Sequence, residues 1–348
     1  MRYYCTYFDK GYLVRAIALH ASLLKHESQP FTLYAVCLDE LTRILLEWLQ
    51  LPGVVAIPLH EIEAGDEGLR QARLNRTQVE YYWTLTPTVI MRLLERNPHV
   101  DLLTYLDADL FFFSSPQPIF DELAGHSVLI HEHRFHEEFK PALKYGRFNV
   151  GLLCFRRNRD ALAVLSWWRE RCNEWCYCRL EDGKYGDQLY LDCWPDKFQG
   201  IRVLEHRGAG VAPWNSVQYF YELSHDGVVT VDGMPLVFYH FHALTFAHPR
   251  YVILSRLMAH KFKRRLILYC YLPYVKQLHK ALGQIGELFP DFDFALYGDF
   301  RRDLSAILLN PKSMVFNVAE GGDKGIMLSP LDENYSLLVT GQVLDDEE

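Results

Sequence analysis

No uninterrupted apolar run in these 348 residues reaches the ~18 needed to span a bilayer. An excess of basic charge is missing too: the formal net charge is −8 at pH 7, which argues against general nucleic-acid binding, since that needs a basic face. An anionic ligand stays open, because a metal ion or a local basic cluster reverses the field. The opening "MRYYCTYFDKGYL" lacks a basic stretch followed by an apolar one, so no secretory leader is expected. The eight cysteines lack paired CxxC spacing. Cys172, Cys176 and Cys178 sit beside Trp167, Trp168 and Trp175 and read as buried or half-buried thiols rather than as a structural zinc site. Reduced thiols in a cytoplasm fit this usage best. There is no internal repeat and no low-complexity linker. With 49 % hydrophobic and 23 % charged residues, a large core is available and disorder is not expected.

What is present is an alternation of strand and helix. "RYYCTYFD", "FTLYAVCL" and "VVAIPL" read as strands. Between them lie "YLVRAIALHASLLKH", with Leu13, Ile17, Leu19, Leu23 and Leu24 at helical spacing, and "DELTRILLEWLQL", started by Asp39. This predicts an α/β fold with parallel strands joined by crossover helices. "RLNRTQVEYYWTLTPTVIMRLLERNP" reads as a loop and then a helix ending near Pro98. "VDLLTYLD" reads as a buried central strand. "SVLIHEH", "FNVGLLCF", "IRVLEH" and "PLVFYHFH" add later strands, and "NRDALAVLSWWRERCNEW" is an amphipathic helix. We expect residues 1–250 to form the main domain and 251–348 an accessory region that begins basic and helical, with Lys261, Lys263, Arg264 and Arg265 clustered, and ends acidic.

In an open parallel sheet, ligands bind beyond the carboxyl ends of the strands. "TYLDADLFFFSSP" puts Asp107 and Asp109 there, and on an extended chain residues i and i+2 face the same side. Paired carboxylates repel, and a hard divalent cation such as Mg2+ or Mn2+ compensates that repulsion. Alone, such a pair is more often a solvated turn. Three further stretches add to it. "YHFHAL" brings His240 and His242 to a strand end, where an imidazole completes a metal shell or serves as a hydrogen-bonded structural His. "YGRFNVGLL" places Asn149 before a strand, with Gly151 permitting close backbone approach. "KYGDQLYLDCW" offers Asp187 and Gln188 at the mouth of a loop entering a helix, as ligand contacts or as caps.

Taken in order, these stretches resemble a GT-A-type nucleotide-sugar glycosyltransferase, near glycosyltransferase family 8. "YLDADLFFFSSP" is similar to that family's DxD strand and the turn after it. "FNVGLLCFR", "GDQLYLD", "GVAPWN" and "HFHAL" resemble its later elements, across residues 2 to about 250. The resemblance implies a Rossmann-like, mostly parallel central sheet flanked by helices, with a C-terminal accessory region. It implies that Asp107, Asp109 and His240 hold Mn2+ or Mg2+ on the diphosphate of a UDP-sugar donor, with His242 the less favoured ligand. It implies nucleotide contacts from Cys5, Thr6, Tyr7, Asp9, Tyr12 and Ala108, and a donor-contacting Arg76 next to Asn75. Asn149, Asp187 and Gln188 would surround the transferred sugar, with Gln188 a polar stabiliser near the reacting carbon. The family's "KPW" is absent after this segment, and Ala243 stands at its Gly position; Arg250 or Lys261 would have to replace its Lys.

The function so implied is metal-dependent transfer of a sugar to a glycan, glycolipid or other carbohydrate or lipid-linked acceptor, with retention of configuration, as in polysaccharide or lipopolysaccharide biosynthesis. Two other readings compete. One is a nucleotide-sugar-binding scaffold without turnover. The other is a sugar nucleotidyltransferase, which needs a Gly-rich basic loop after its first strand; "YFDKGYLVR" has one Gly there. The stretch 256–268 has two readings of its own: a solvated face packed on the domain, or a peripheral contact with the anionic inner face of a membrane.

Overall fold

The aromatic opening run forms β1 (Arg2–Phe8), which hydrogen-bonds in parallel to β2 (Phe31–Cys37) on one side and β4 (Leu102–Leu106) on the other. The computed structural model describes residues 1–248, 251–255, 261–290, 313–316, 336–340 and 342–344. The central sheet has seven strands, completed by β3 (Val54–Pro58), β6 (Val128–Glu132), β7 (Phe148–Arg156) and β8 (Ile201–Val203), in the order β3-β2-β1-β4-β7-β6-β8. The expected mixed α/β architecture is therefore present: six strands run one way, and β7 alone runs antiparallel to both its neighbours. That reversal matters for the site. It brings the start of β7 to the edge where the parallel strands end, and Asp107 N–H donates to Gly151 O at 2.8 Å.

Helices cover both faces. Successive residues of β4 point to opposite sides. Tyr105 packs with Leu85 and Val89 of α5 (Gln78–Arg96) and with Leu165 and Trp168 of α7 (Arg159–Glu174). Leu106 packs with Leu19 and Leu23 of α1 (Leu13–His26). Asp39 caps the helix Glu40–Leu49 as its sequence predicts, accepting from Thr42 N at 2.8 Å. The residues read as a loop before α5 are in part helical, since a helix spans Glu67–Asn75. Cys172 and Cys176 are buried and Cys178 is exposed. Among the described residues the three cysteines join no metal-ligating group.

After the turn at Asp107–Asp109 comes β5 (Leu110–Phe112), which leaves the main sheet and pairs antiparallel with the strand Phe238–His240. This ladder brings the carboxylates and the imidazoles together. Beyond residue 250, the expectation of a basic helix over 256–265 needs correcting. Lys261–Lys263 is a strand paired in parallel with Gln342–Leu344, and the helix begins only at Arg264; residues 256–260 lie outside the described set. The cause is pairing with a segment about eighty residues away, which local composition cannot signal. From Arg264 the helix runs through a π-helical turn, Ile267–Tyr271, into Leu272–Leu288. Its apolar residues Leu266, Ile267, Tyr271, Tyr274, Leu278 and Ile285 are buried in one core with Val14 and Ile17 of α1, so these side chains turn inward. Among the described residues no helix is long and apolar enough to cross a membrane.

Candidate active site

A cavity of about 660 Å³ opens at the carboxyl edge of the sheet. Tyr7, Asp9 and Tyr12 line it from the end of β1, and Asp107, Ala108 and Asp109 from the end of β4. Asn149, Asp187, Gln188, His240 and His242 line it as well. The sequence treats Asp107 and Asp109 as alternate residues of an extended chain. In the structure a turn juxtaposes them instead, with Leu110 N–H donating to Asp107 O at 3.2 Å.

His240 Nε2 lies 3.1 Å from Asp109 Oδ1 and 3.7 Å from Asp107 Oδ2. Phe241 N–H donates to Asp109 O at 3.0 Å and fixes the two segments to each other. Asp109 is buried. Burial resists its ionisation, yet the His240 charge and hydrogen bond outweigh this and hold the carboxyl down at about 2. For His240, burial disfavours the cation, but Asp109 beside it lifts the imidazole above its ordinary range. Asp107 keeps a third of its side chain exposed and accepts from Tyr105 Oη at 2.7 Å. Burial raises its carboxyl, against the pull of His240.

His242, the less favoured ligand in the sequence, belongs to the cluster after all. Asp109, His240 and His242 each offer one ligand atom, and those atoms lie within 4.8 Å of one another. Burial, then the His240 charge, pushes His242 down to about 4, so it is a neutral imidazole able to ligate. One carboxylate and two imidazoles, with Asp107 beside them, form a mixed oxygen–nitrogen set of the kind that can hold a divalent cation. Trp214 holds the rings from the side, edge-on to His240 at 5.4 Å and to His242 at 5.6 Å. Its neighbour Asn215 is buried and donates to His133 O at 2.8 Å and Gly210 O at 3.0 Å, which pins this loop.

Asn149 supports the cluster from behind. Its Oδ1 accepts from Gly151 N at 2.8 Å, and its Nδ2 lies 3.2 Å from His133 Nε2. Asp187 is buried, accepts from Thr86 Oγ1 at 3.1 Å, and is raised to about 7 by burial and by the nearby Asp107 charge. Gln188 donates to Tyr145 O at 2.9 Å and makes no cap bond; the segment after it, Leu189–Cys193, is a 3-10 turn rather than a longer helix.

Three expected nucleotide contacts do not reach the cavity. Cys5 and Thr6 are fully buried inside β1, because the strand's open end begins only at Tyr7. Arg76 is turned away: its guanidinium donates to Thr84 Oγ1 at 2.6 Å and to Asn173 O at 2.7 Å, tying α5 to α7. Asn75 is exposed outside the cavity. Tyr7 Oη donates to Tyr82 O at 2.8 Å, and Asp9 accepts from Gly11 N at 3.0 Å. Arg250 and the Lys261 side chain lie outside the described residues. An adjoining recess instead presents Lys10 and Arg15, and Arg15 donates to Leu244 O at 2.8 Å. The sequence reading missed these two, along with Gln78, Tyr82 and Trp83 on α5 and with Tyr145 and Tyr185, all on the cavity wall. One signal was available: Gln78 and Tyr82 are four apart at the open end of a helix, on one face.

No family model matches the chain. It is 34 % identical over 245 residues to the uncharacterized protein YfnF of Bacillus subtilis (strain 168), across 68 % of this chain and 80 % of that protein. It is 31 % identical over 293 residues to the uncharacterized protein YfnD of the same organism, across 83 % and 93 %. Among solved structures it is similar to the galactosyltransferase LgtC in complex with donor and acceptor sugar analogs. Identity there is 17 % and the TM-score 0.46, over 80 % of this chain and 95 % of that one. It is also similar to mouse xyloside xylosyltransferase 1, with 13 % identity and a TM-score of 0.44, over 69 % and 97 %.

Proposed function

The chain belongs to the family of Bacillus subtilis YfnF and YfnD, and we propose that it is a divalent-cation-dependent glycosyltransferase. In this reading it moves a sugar from a UDP-sugar to a carbohydrate or lipid-linked acceptor. The observation that carries the reading is the convergence of Asp107, Asp109, His240 and His242 on one corner of a cavity at the carboxyl edge of the sheet.

Asp107, Asp109, His240 and His242 would hold Mn2+ or Mg2+. When bound, the ion supplies Lewis-acid stabilisation to the charge that gathers on the leaving diphosphate. The chain's own groups do the rest. Tyr7, Asp9, Tyr12 and Ala108 bind and orient the nucleotide. Lys10 and Arg15 add positive charge at the edge where the sequence lacks the family's Lys. Asp187 and Gln188 position the sugar. Near neutral pH, Asp187 is poised to donate or accept a hydrogen bond from a sugar hydroxyl. Asn149 keeps Gly151 and His133 in place rather than touching the reacting atoms. Retention follows if the acceptor attacks the face from which the diphosphate departs, with the departing phosphate taking its proton.

The test is UDP release from a panel of UDP-hexoses with and without Mn2+. Asp109→Asn should lower the cation-dependent rate by about 100-fold, the size of effect seen when one preorganised electrostatic group is lost. Normal turnover by Asp109→Asn would remove the proposal.

A further inference from the structure

The strand Phe238–His240 and the residue after it leave two side chains facing away from the cavity: Tyr239 before His240, and Phe241 after it. Both are fully buried, and both meet the helix that follows residue 264. Tyr239 Oη lies 2.9 Å from Tyr271 Oη, with the ring centroids 5.4 Å apart. The Phe241 ring stacks on Tyr274 at 3.8 Å with an interplanar angle of 16°. Tyr271 and Tyr274 are three apart, so they share one helix face, the first at the end of the π-helical turn and the second just past it. Phe111, in the strand paired with Tyr239, packs on Tyr274 as well, at 5.4 Å.

We propose that Tyr271 and Tyr274 are positioning residues for the cation site: through Tyr239 and Phe241 they set the depth and rotation of the strand that presents His240 and His242 to Asp109. The helical segment after residue 264 is then part of the cation-binding apparatus. The physical argument is leverage over a short element. The strand Phe238–His240 has three residues, held by its ladder to β5 and by His240 N–H donating to Val211 O at 2.8 Å. Two ring contacts, one on either side of His240, brace its far face through side chains. This inference rests on the cation reading above.

The test is Mn2+ affinity of the full chain, followed by electron paramagnetic resonance of free Mn2+. Tyr274→Ala should weaken binding by about tenfold, the lower end of what loss of outer-shell support costs a metal site. Tyr274→Phe should restore it, because stacking and not the hydroxyl is the support. Tyr271→Phe, which removes only the hydroxyl contact, should weaken binding by about threefold, a shift of under 1 kcal/mol. Ile285→Ala is the control: it is buried on the same helix about 16 Å further along, and should lower stability without changing Mn2+ affinity. Unchanged affinity in both Tyr274→Ala and Tyr271→Phe overturns the inference, as does an Ile285→Ala loss equal to that of Tyr274→Ala. Should Tyr274→Ala not fold, Tyr271→Phe decides alone. A wild-type chain that binds no Mn2+ overturns the cation reading itself, and this inference with it.

Discussion

A methyl group added at Gly151 would stand 2.6 Å from Asn149 Oδ1 and 2.9 Å from His240 Nδ1 and Cε1. Each of those neighbours is buried and fixed, so neither has room to yield. Gly151→Ala should therefore cost about 1–3 kcal/mol, as overpacking does, and shift His240; urea denaturation and Mn2+ titration would show both losses together. Ala243 presents the opposite problem. It sits at φ 59°, in the left-handed region, where the resembled family has Gly. A non-Gly residue pays roughly 1–2 kcal/mol there, while Gly costs about 0.5–1 kcal/mol of extra chain entropy. The balance predicts that Ala243→Gly raises stability by up to about 1.5 kcal/mol, visible as a higher Tm; a lower Tm would contradict the strain. At Asp187 the sign runs through pH. Burial and Asp107 raise its carboxyl to about 7, so the folded chain holds a proton that the unfolded chain releases near pH 4. Stability from this group is greatest in acid and is lost as pH climbs from about 4 to about 7. Asp187→Asn removes that loss. Its stabilising effect should grow across the same interval and then level off, as measured by urea melts at several pH values.

At the scale of elements, α5 carries one wall of the cavity, and its start is built for it. Thr77 accepts from Glu80 N, and Glu80 Oε2 accepts from Thr77 N at 2.9 Å, a complete capping box. Pro87 lies inside the same helix and cannot donate to Trp83 O; Thr86 Oγ1 reaches that carbonyl at 3.2 Å and also touches Asp187. Thr77→Ala should cost about 1 kcal/mol of stability and raise KM for the donor more than it lowers kcat, since Gln78, Tyr82 and Trp83 follow directly. Most elements were legible in the chain. Strand and helix alternate from residue 2 to 58 with the expected periods, and Asp39 announces its helix by type and place. The Lys261–Lys263 strand was not legible, because its reason for being extended lies in Gln342–Leu344. Nor was the turn at Asp107–Asp109, which a reading by alternation takes as straight chain.

At the scale of the molecule, the site joins segments far apart in sequence. Asp107 and Asp109 come from the end of β4, Asn149 and Gly151 from the one reversed strand, and His240 and His242 from a small separate ladder. Asp107, Asp109, Asn149, Asp187, Gln188 and His240, singled out by residue type and motif, do meet at one cavity. Which residues of β1 face it was not legible, since that depends on where a strand leaves the core: Cys5 and Thr6 end inside it, Tyr7 outside. Arg76 was misplaced for a related reason, as its partners, Thr84 on α5 and Asn173 on α7, lie where the two helices meet. Motif position ranks His240 above His242, whereas the fold brings both rings to Asp109. The most direct measurement is anomalous diffraction at the manganese edge from a crystal grown with UDP and Mn2+. The account predicts a single strong peak within coordinating reach of Asp109 and His240, with the diphosphate on its open side. A peak elsewhere, or nucleotide bound with no metal against those two residues, would contradict it.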